Sequence, residues 1–199
     1  MKSLIRFGRL VAIGLVACLA LSGCITAKFY VPNDLPTLTR ADLPPPAQPK
    51  PVQVLFEFRN KGNANATATT KVRPAIMAVA TNSGLFSNVS QTPVGGGMLT
   101  VTIDNVPLSN DAASKGMATG LTLGLAGSMV ADGYTCTATY TSNGKVTTAE
   151  VKHSIYTTIG NHDGPPGLAP MEADGAVNLA MSQIMWHLLK QLSDKHAFD

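Results

Sequence analysis

Apolar and polar residues alternate with a period of two in several short runs, and with a helical period in two longer ones. Val52, Val54, Phe56 and Phe58 share one face of an extended chain, which predicts a strand over 52–58. Val72, Ile76, Val79 and Ala80 recur at helical spacing within the Ala-rich segment 66–82, and Ser83-Gly84 supplies a stop. Pro74 falls inside that segment and predicts either a kink or the first turn of the helix. A short strand is expected at 85–91, a turn at 93–97, and a strand at 98–104 with Leu99, Val101 and Ile103 on one face.

Further along, the β-rich runs 134–141 and 146–159 flank Ser142-Asn143-Gly144, and Asn-Gly between two such runs is a strong hairpin signal. Threonines alternate with apolar residues through this hairpin, as expected for one wet face and one buried face. The chain then predicts a helix at 173–195. Its apolar stripe is Val177, Met181, Ile184, Leu188 and Leu192, widened by Met185, Trp186 and Leu189. The order β-α-β-β-(Gly-rich)-β-β-α predicts an α+β fold: an antiparallel or mixed sheet with helices packed on one face and a long C-terminal helix. No internal repeat is visible.

The Gly-rich segment is the uncharged run 116–131, in which Gly116, Gly120 and Gly124 repeat every four positions. On a helix these glycines share nearly one face and form a candidate association face that admits another backbone. Each glycine costs about 1 kcal/mol relative to alanine in a helix, so the segment needs packing partners to be helical. Three arrangements fit: a helix or helical hairpin on the sheet, an apolar surface for self-association or a partner, or insertion into a membrane as an oligomer. As a lone helix the run is about 24 Å long, short of the roughly 30 Å hydrocarbon core.

The N-terminus has a different organisation. Lys2, Arg6 and Arg9 precede an uncharged stretch, residues 10–21, and small residues follow. This is the three-part build of an export signal, too short for a stable transmembrane helix. At its end, Leu21-Ser22-Gly23-Cys24 resembles the lipobox of bacterial lipoproteins. The resemblance implies cleavage between Gly23 and Cys24, a diacylglyceryl group on the Cys24 sulfur and an acylated amino group. Several acyl chains anchor a protein stably, since each buried methylene contributes about 0.8 kcal/mol. Ile25 stands where that family places Asp for retention at the inner membrane, so the resemblance implies the outer membrane. The implied organisation is a signal peptide at 1–23, a lipid-anchored Pro-rich linker at 24–51 and a periplasmic α+β domain at 52–199.

Residues 32–51 carry prolines every few positions and no hydrophobic period. They read either as a semi-extended spacer with a reach of about 60 Å, or as an arm wrapped around the domain or a neighbouring subunit.

Charge matters mainly for what it excludes. Of fifteen basic residues three lie in the signal, leaving twelve against twelve acidic ones. A near-neutral mature chain gives no basis for nucleic-acid binding. Cys18 lies in the signal and Cys24 is committed to lipid, so Cys136 stands alone, and no intrachain disulfide is expected. Its place in the alternating run Tyr134, Cys136, Ala138, Tyr140 favours a buried inert thiol over one that reacts or pairs between chains.

Candidate chemistry is sparse. His153, His162, Asp163, His187 and His196 are the residues to consider, and none has metal-ligand spacing such as HExxH. His162 and Asp163, adjacent in the Gly/Pro loop NHDGPPG, read as a solvated turn against metal binding or acid–base work. No nucleophile elbow or phosphate-binding glycine loop is present, so no catalytic residue, metal or cofactor is assigned. The threonine hydroxyls could meet a carbohydrate, as those of most wet sheet faces could.

The element order, the phrases SGLFSNV and LTVTIDN, and a Gly-rich stretch before a Tyr-containing strand resemble small proteobacterial lipoproteins. That resemblance implies a fold akin to periplasmic lipoproteins that build rings in polysaccharide or curli export, and it brings no catalytic residue. The expectation is a lipid-anchored, non-enzymatic interaction or assembly module of the cell envelope, with a membrane and a protein as partners. The alternative is an oligomeric ring or pore accessory that assembles through residues 116–131.

Overall fold

The structure is a computed structural model that describes residues 26–108 and 127–199. A mixed sheet of seven strands carries two helices on one face, so the fold class is α+β. The elements are β1 (Ala27–Tyr30), β2 (Lys50–Asn60), β3 (Asn63–Ala64), α1 (Ala66–Asn82), β4 (Phe86–Ser90), β5 (Gly97–Pro107), β6 (Ser128–Ser142), β7 (Lys145–Ile159) and α2 (Ala173–Asp194). Strand order is β1-β7-β6-β5-β2-β3, with β4 also on β2. Pairings of β2 with β4 and β5 are parallel and the rest antiparallel.

The helices form where the periodicity predicts. Asn65 caps α1, its side chain accepting from the Ala68 N–H at 3.0 Å, and Thr69, Val72, Ile76, Val79 and Ala80 turn inward. Pro74 lies in the helix interior, not in its first turn. Thr69 ties α1 to the sheet: its hydroxyl accepts from the Phe58 N–H at 2.9 Å and donates to the Asn65 carbonyl at 2.8 Å. On α2, Met181, Ile184, Met185, Leu188, Leu189 and Leu192 are almost wholly buried against the sheet and α1. Between β6 and β7, Asn143 and Gly144 both have positive φ, 50° and 77°, the conformation that Asn-Gly adopts in a tight hairpin turn.

Two expectations change. Residues 128–131, counted in the Gly-rich helical segment, are strand: Ser128 to Ala131 pair with Ile159 to Tyr156. The reason is the ladder itself, because β7 runs on to Ile159 and offers partners to the backbone N–H and C=O groups of those residues. Gly116, Gly120 and Gly124 lie outside the described residues, as does Cys24.

The second change concerns where the folded unit begins: of the two readings of the Pro-rich segment, spacer and arm, its described part follows the packed arm. Tyr30, Val31 and Leu43 are buried, and β1 pairs with β7 as the outermost strand on that side. The folded unit therefore begins at β1, well before residue 52. Thr39 and Asp42 form a reciprocal capping box at a short 3-10 turn, Arg40–Asp42, beside Leu43. These bonds from Thr39 hold the Asp42 carboxyl below its ordinary pKa.

Candidate functional site

Because both helices lie on one side, the sheet has a bare face. Its residues come from alternate positions: Gln53, Leu55, Glu57 and Arg59 on β2, Met98, Thr100, Thr102 and Asp104 on β5, then the threonines of β6 and alternate residues of β7. The register sets Thr100 beside Thr139 and Thr102 beside Thr137. Thr139 in turn adjoins Thr148, their hydroxyls 3.2 Å apart. The result is a cross-strand threonine ladder flanked by apolar side chains. Leu55, Met98, Val106 and Val146 are four of the six exposed large hydrophobics among the described residues, so exposed apolar area is concentrated on this face.

Two shallow depressions open on it. One, about 370 Å³, is floored by Leu55, Glu57, Thr100 and Thr102 and rimmed by Arg59, Arg73 and Gln91. Arg59 pairs with Glu57, and Arg73 reaches round the edge from α1 to donate from Nη1 to Gln91 Oε1 at 3.0 Å. The Arg73 Nε is buried without a hydrogen-bond partner. This rim stands where β2 has no strand partner on its outer side, between β4 at Gln53 and β3 at Arg59. The other depression, about 400 Å³, lies at the opposite end of the face, where Val106, Leu108, Thr135 and Lys152 surround Gly133. Leu108 rests on Gly133, whose missing side chain leaves it room: a Cβ there would come within 2.7 Å of the leucine.

The opposite edge of the sheet is closed by side chains. Gln191 of α2 donates to the Glu150 carbonyl at 2.9 Å and accepts from its N–H at 3.3 Å, imitating a strand neighbour. Lys195 donates to the Thr148 carbonyl at 2.7 Å.

The candidate histidines are dispersed. His153 is buried on the helix side of β7, and its Nε2 donates to Gln183 Oε1 at 2.9 Å, because the Gln183 amide nitrogen is turned to the Leu35 carbonyl at 3.4 Å. Its Nδ1 faces Asp34 Oδ1 at 3.2 Å, outside hydrogen-bond geometry. His187, half-buried beside Trp186, donates to the Pro36 carbonyl at 2.8 Å. These contacts hold the N-terminal arm to α2 and β7. His162 donates to the backbone oxygen of Asp163 at 2.6 Å in an exposed loop, and His196 lies 2.9 Å from Asp199 near the C-terminus. Among the described residues no group of three metal-ligating side chains forms.

Cys136 is fully buried between Ile103 and Val151 on neighbouring strands, and burial first, then the charges of Asp104 and Glu150, pushes its thiol pKa up. Burial also raises the Tyr134 phenol, helped by Asp132 and opposed by a hydrogen bond with Asn105. Neither group is poised to react. Among the described residues no helix is long and apolar enough to cross a membrane.

No family model matches the sequence, and no curated protein is similar to it. Among solved structures, a PelC dodecamer from Paraburkholderia phytofirmans aligns at 13% identity over 82% of this chain and 98% of its own, with a TM-score of 0.37. A Xanthomonas campestris protein of the DUF330 family aligns at 13% identity over 77% and 94%, with a TM-score of 0.40. Likenesses of this strength transfer neither an assembly nor an activity.

Proposed function

We propose that the protein is a lipid-anchored, non-enzymatic interaction module on the periplasmic face of the outer membrane, held there by Cys24 and engaging a protein partner through the bare face of its sheet. The observation that carries the binding role is the concentration of exposed Leu55, Met98, Val106 and Val146 on a face that neither helix covers. Exposed apolar area gathered on one surface is characteristic of an interaction site, and the interleaved threonines keep such a face soluble while offering hydrogen bonds to a partner. The anchor is supported by the export signal and the LSGC motif that ends it.

Fractionation of cells tests both halves. Wild-type protein stays with membranes after a high-salt wash, and Cys24→Ser moves it to the soluble periplasm. Val146→Glu, at a position already 61% exposed, keeps the fold and the membrane location and loses the co-purifying partner. A Cys24→Ser protein that remains in membranes contradicts the anchor. Partner recovery unchanged by Val146→Glu and by Leu55→Glu contradicts the binding face.

A further inference from the structure

The distance between the expected lipid and the folded unit is short enough to orient the domain. β1 starts at Ala27, only three residues beyond Cys24. The chain is fastened even earlier, because the Gly160 N–H donates to the Thr26 carbonyl at 3.1 Å. Phe29 and Met171 then exchange both of their backbone hydrogen bonds, at 2.9 and 3.2 Å. What separates the attachment residue from the first fixed residue is two peptide steps, which span at most about 7 Å.

We propose that the end of the sheet carrying Thr26, Ser128, Ile159 and Asn161 rests on the bilayer headgroups, so that the domain stands on the membrane with the bare face directed sideways. The inference rests on lipidation of Cys24 and goes beyond it by naming the surface that meets the lipid. Acyl chains on Cys24 place its backbone at the hydrocarbon boundary, and the headgroup layer beyond is about 5–8 Å thick. A tether of that length is about as long as this layer is thick, so it keeps the sheet end at the outer surface of the layer.

The register fixes the rest of the arrangement. Ala27 and Ser128 both pair with Ile159, so the start of β1, the start of β6 and the end of β7 coincide at one end. Lys28 is exposed there, next to the expected phosphate layer. Leu108, 65% exposed, donates its N–H to the Ala131 carbonyl at 2.9 Å, three residues along β6 from Ser128. That sets Leu108 about 10 Å above the sheet end, just beyond the headgroups. Val146 lies thirteen residues from Ile159 along β7, about 43 Å away and far from the membrane.

Site-directed fluorescence on the lipidated full-length protein in phosphatidylethanolamine/phosphatidylglycerol vesicles tests this. Cys136 is buried and a lipidated Cys24 has no free thiol, so a single introduced cysteine takes the dye. Asn161→Cys, Leu108→Cys and Val146→Cys are labelled separately, and a headgroup spin-labelled lipid is added as quencher. The proposal expects loss of most of the fluorescence at 161, a smaller loss at 108 and none at 146, with wild-type melting for each variant. Equal quenching at 161 and 146, or stronger quenching at 146, in protein that co-floats with the vesicles overturns the orientation while the anchor stands. Purified wild-type protein that carries no acyl mass on Cys24 and does not co-float overturns the anchor reading and the orientation together.

Discussion

The two faces of the sheet are built from the same strands, yet they answer to different requirements. On the helix side, Phe56, Leu99, Val101, Ile103 and Cys136 meet Ile184, Leu188 and Leu192 in a core from which water is excluded. On the other side, the positions between them hold threonines with Leu55, Met98 and Val146 exposed. Stability is concentrated on the first face, which leaves the second free to vary its chemistry. A strand that alternates Thr with apolar residues can pack a core with one face and leave the other open to solvent, because successive side chains point to opposite sides.

The largest effect that tests this contrast is on stability. Leu188→Ala or Ile184→Ala should lower unfolding free energy by about 2–5 kcal/mol in urea titrations, the range for large cavities in a packed core. Thr137→Ala on the bare face should change it by no more than about 0.5 kcal/mol. Comparable losses at the two sites would remove the contrast.

Next in size is the arm. His153→Ala leaves the Gln183 carbonyl oxygen without its donor and should cost about 1–3 kcal/mol. Limited proteolysis should then cut within residues 31–43, where the wild type resists, since the Gln183 and His187 contacts that hold the arm adjoin this ring.

The buried thiol and phenol make a pH prediction. Both have folded-state pKa values raised above the unfolded ones, so their contribution is complete below the unfolded values, 9.0 for the Cys136 thiol, and is lost as pH rises above them. Unfolding free energy should therefore fall on the alkaline side, by about 1.4 kcal/mol per pH unit for each group that titrates only in the unfolded chain. Cys136→Ala should make the alkaline slope shallower, and the native thiol should resist iodoacetamide at neutral pH.

Smallest is the sheet edge. Gln191→Ala removes the amide that occupies both backbone groups of Glu150 and should cost about 1 kcal/mol, with faster amide exchange confined to that strand.

Local patterns were legible in the sequence, and long-range pairings were not. The α1 boundaries, the Asn143-Gly144 turn and the stripe from Met181 to Leu192 follow from spacing and turn chemistry, which act over a few residues. β1 was hidden because its partner β7 lies far along the chain and its own four residues AKFY have no repeating pattern. Residues 128–131 are strand although an uncharged run with spaced glycines satisfies a helix, because the neighbouring strand decides their state. Of the candidate site, the alternation revealed that one face is wet. It could not show that Arg73 and Gln91, from α1 and the segment after β4, meet at its rim. The His153 and Gln183 pair was equally invisible, since nothing in either local segment marks the other.

If the bare face is the surface that binds, it captures a neighbour that the helical side does not. Site-specific photo-crosslinking in intact cells compares it directly with the helical side, by placing a photoreactive amino acid at Thr100 on the bare face or at Leu179, 38% exposed on α2. A discrete envelope-protein adduct is expected from position 100 and none from position 179. An adduct from 179 alone, or from neither position, would contradict it.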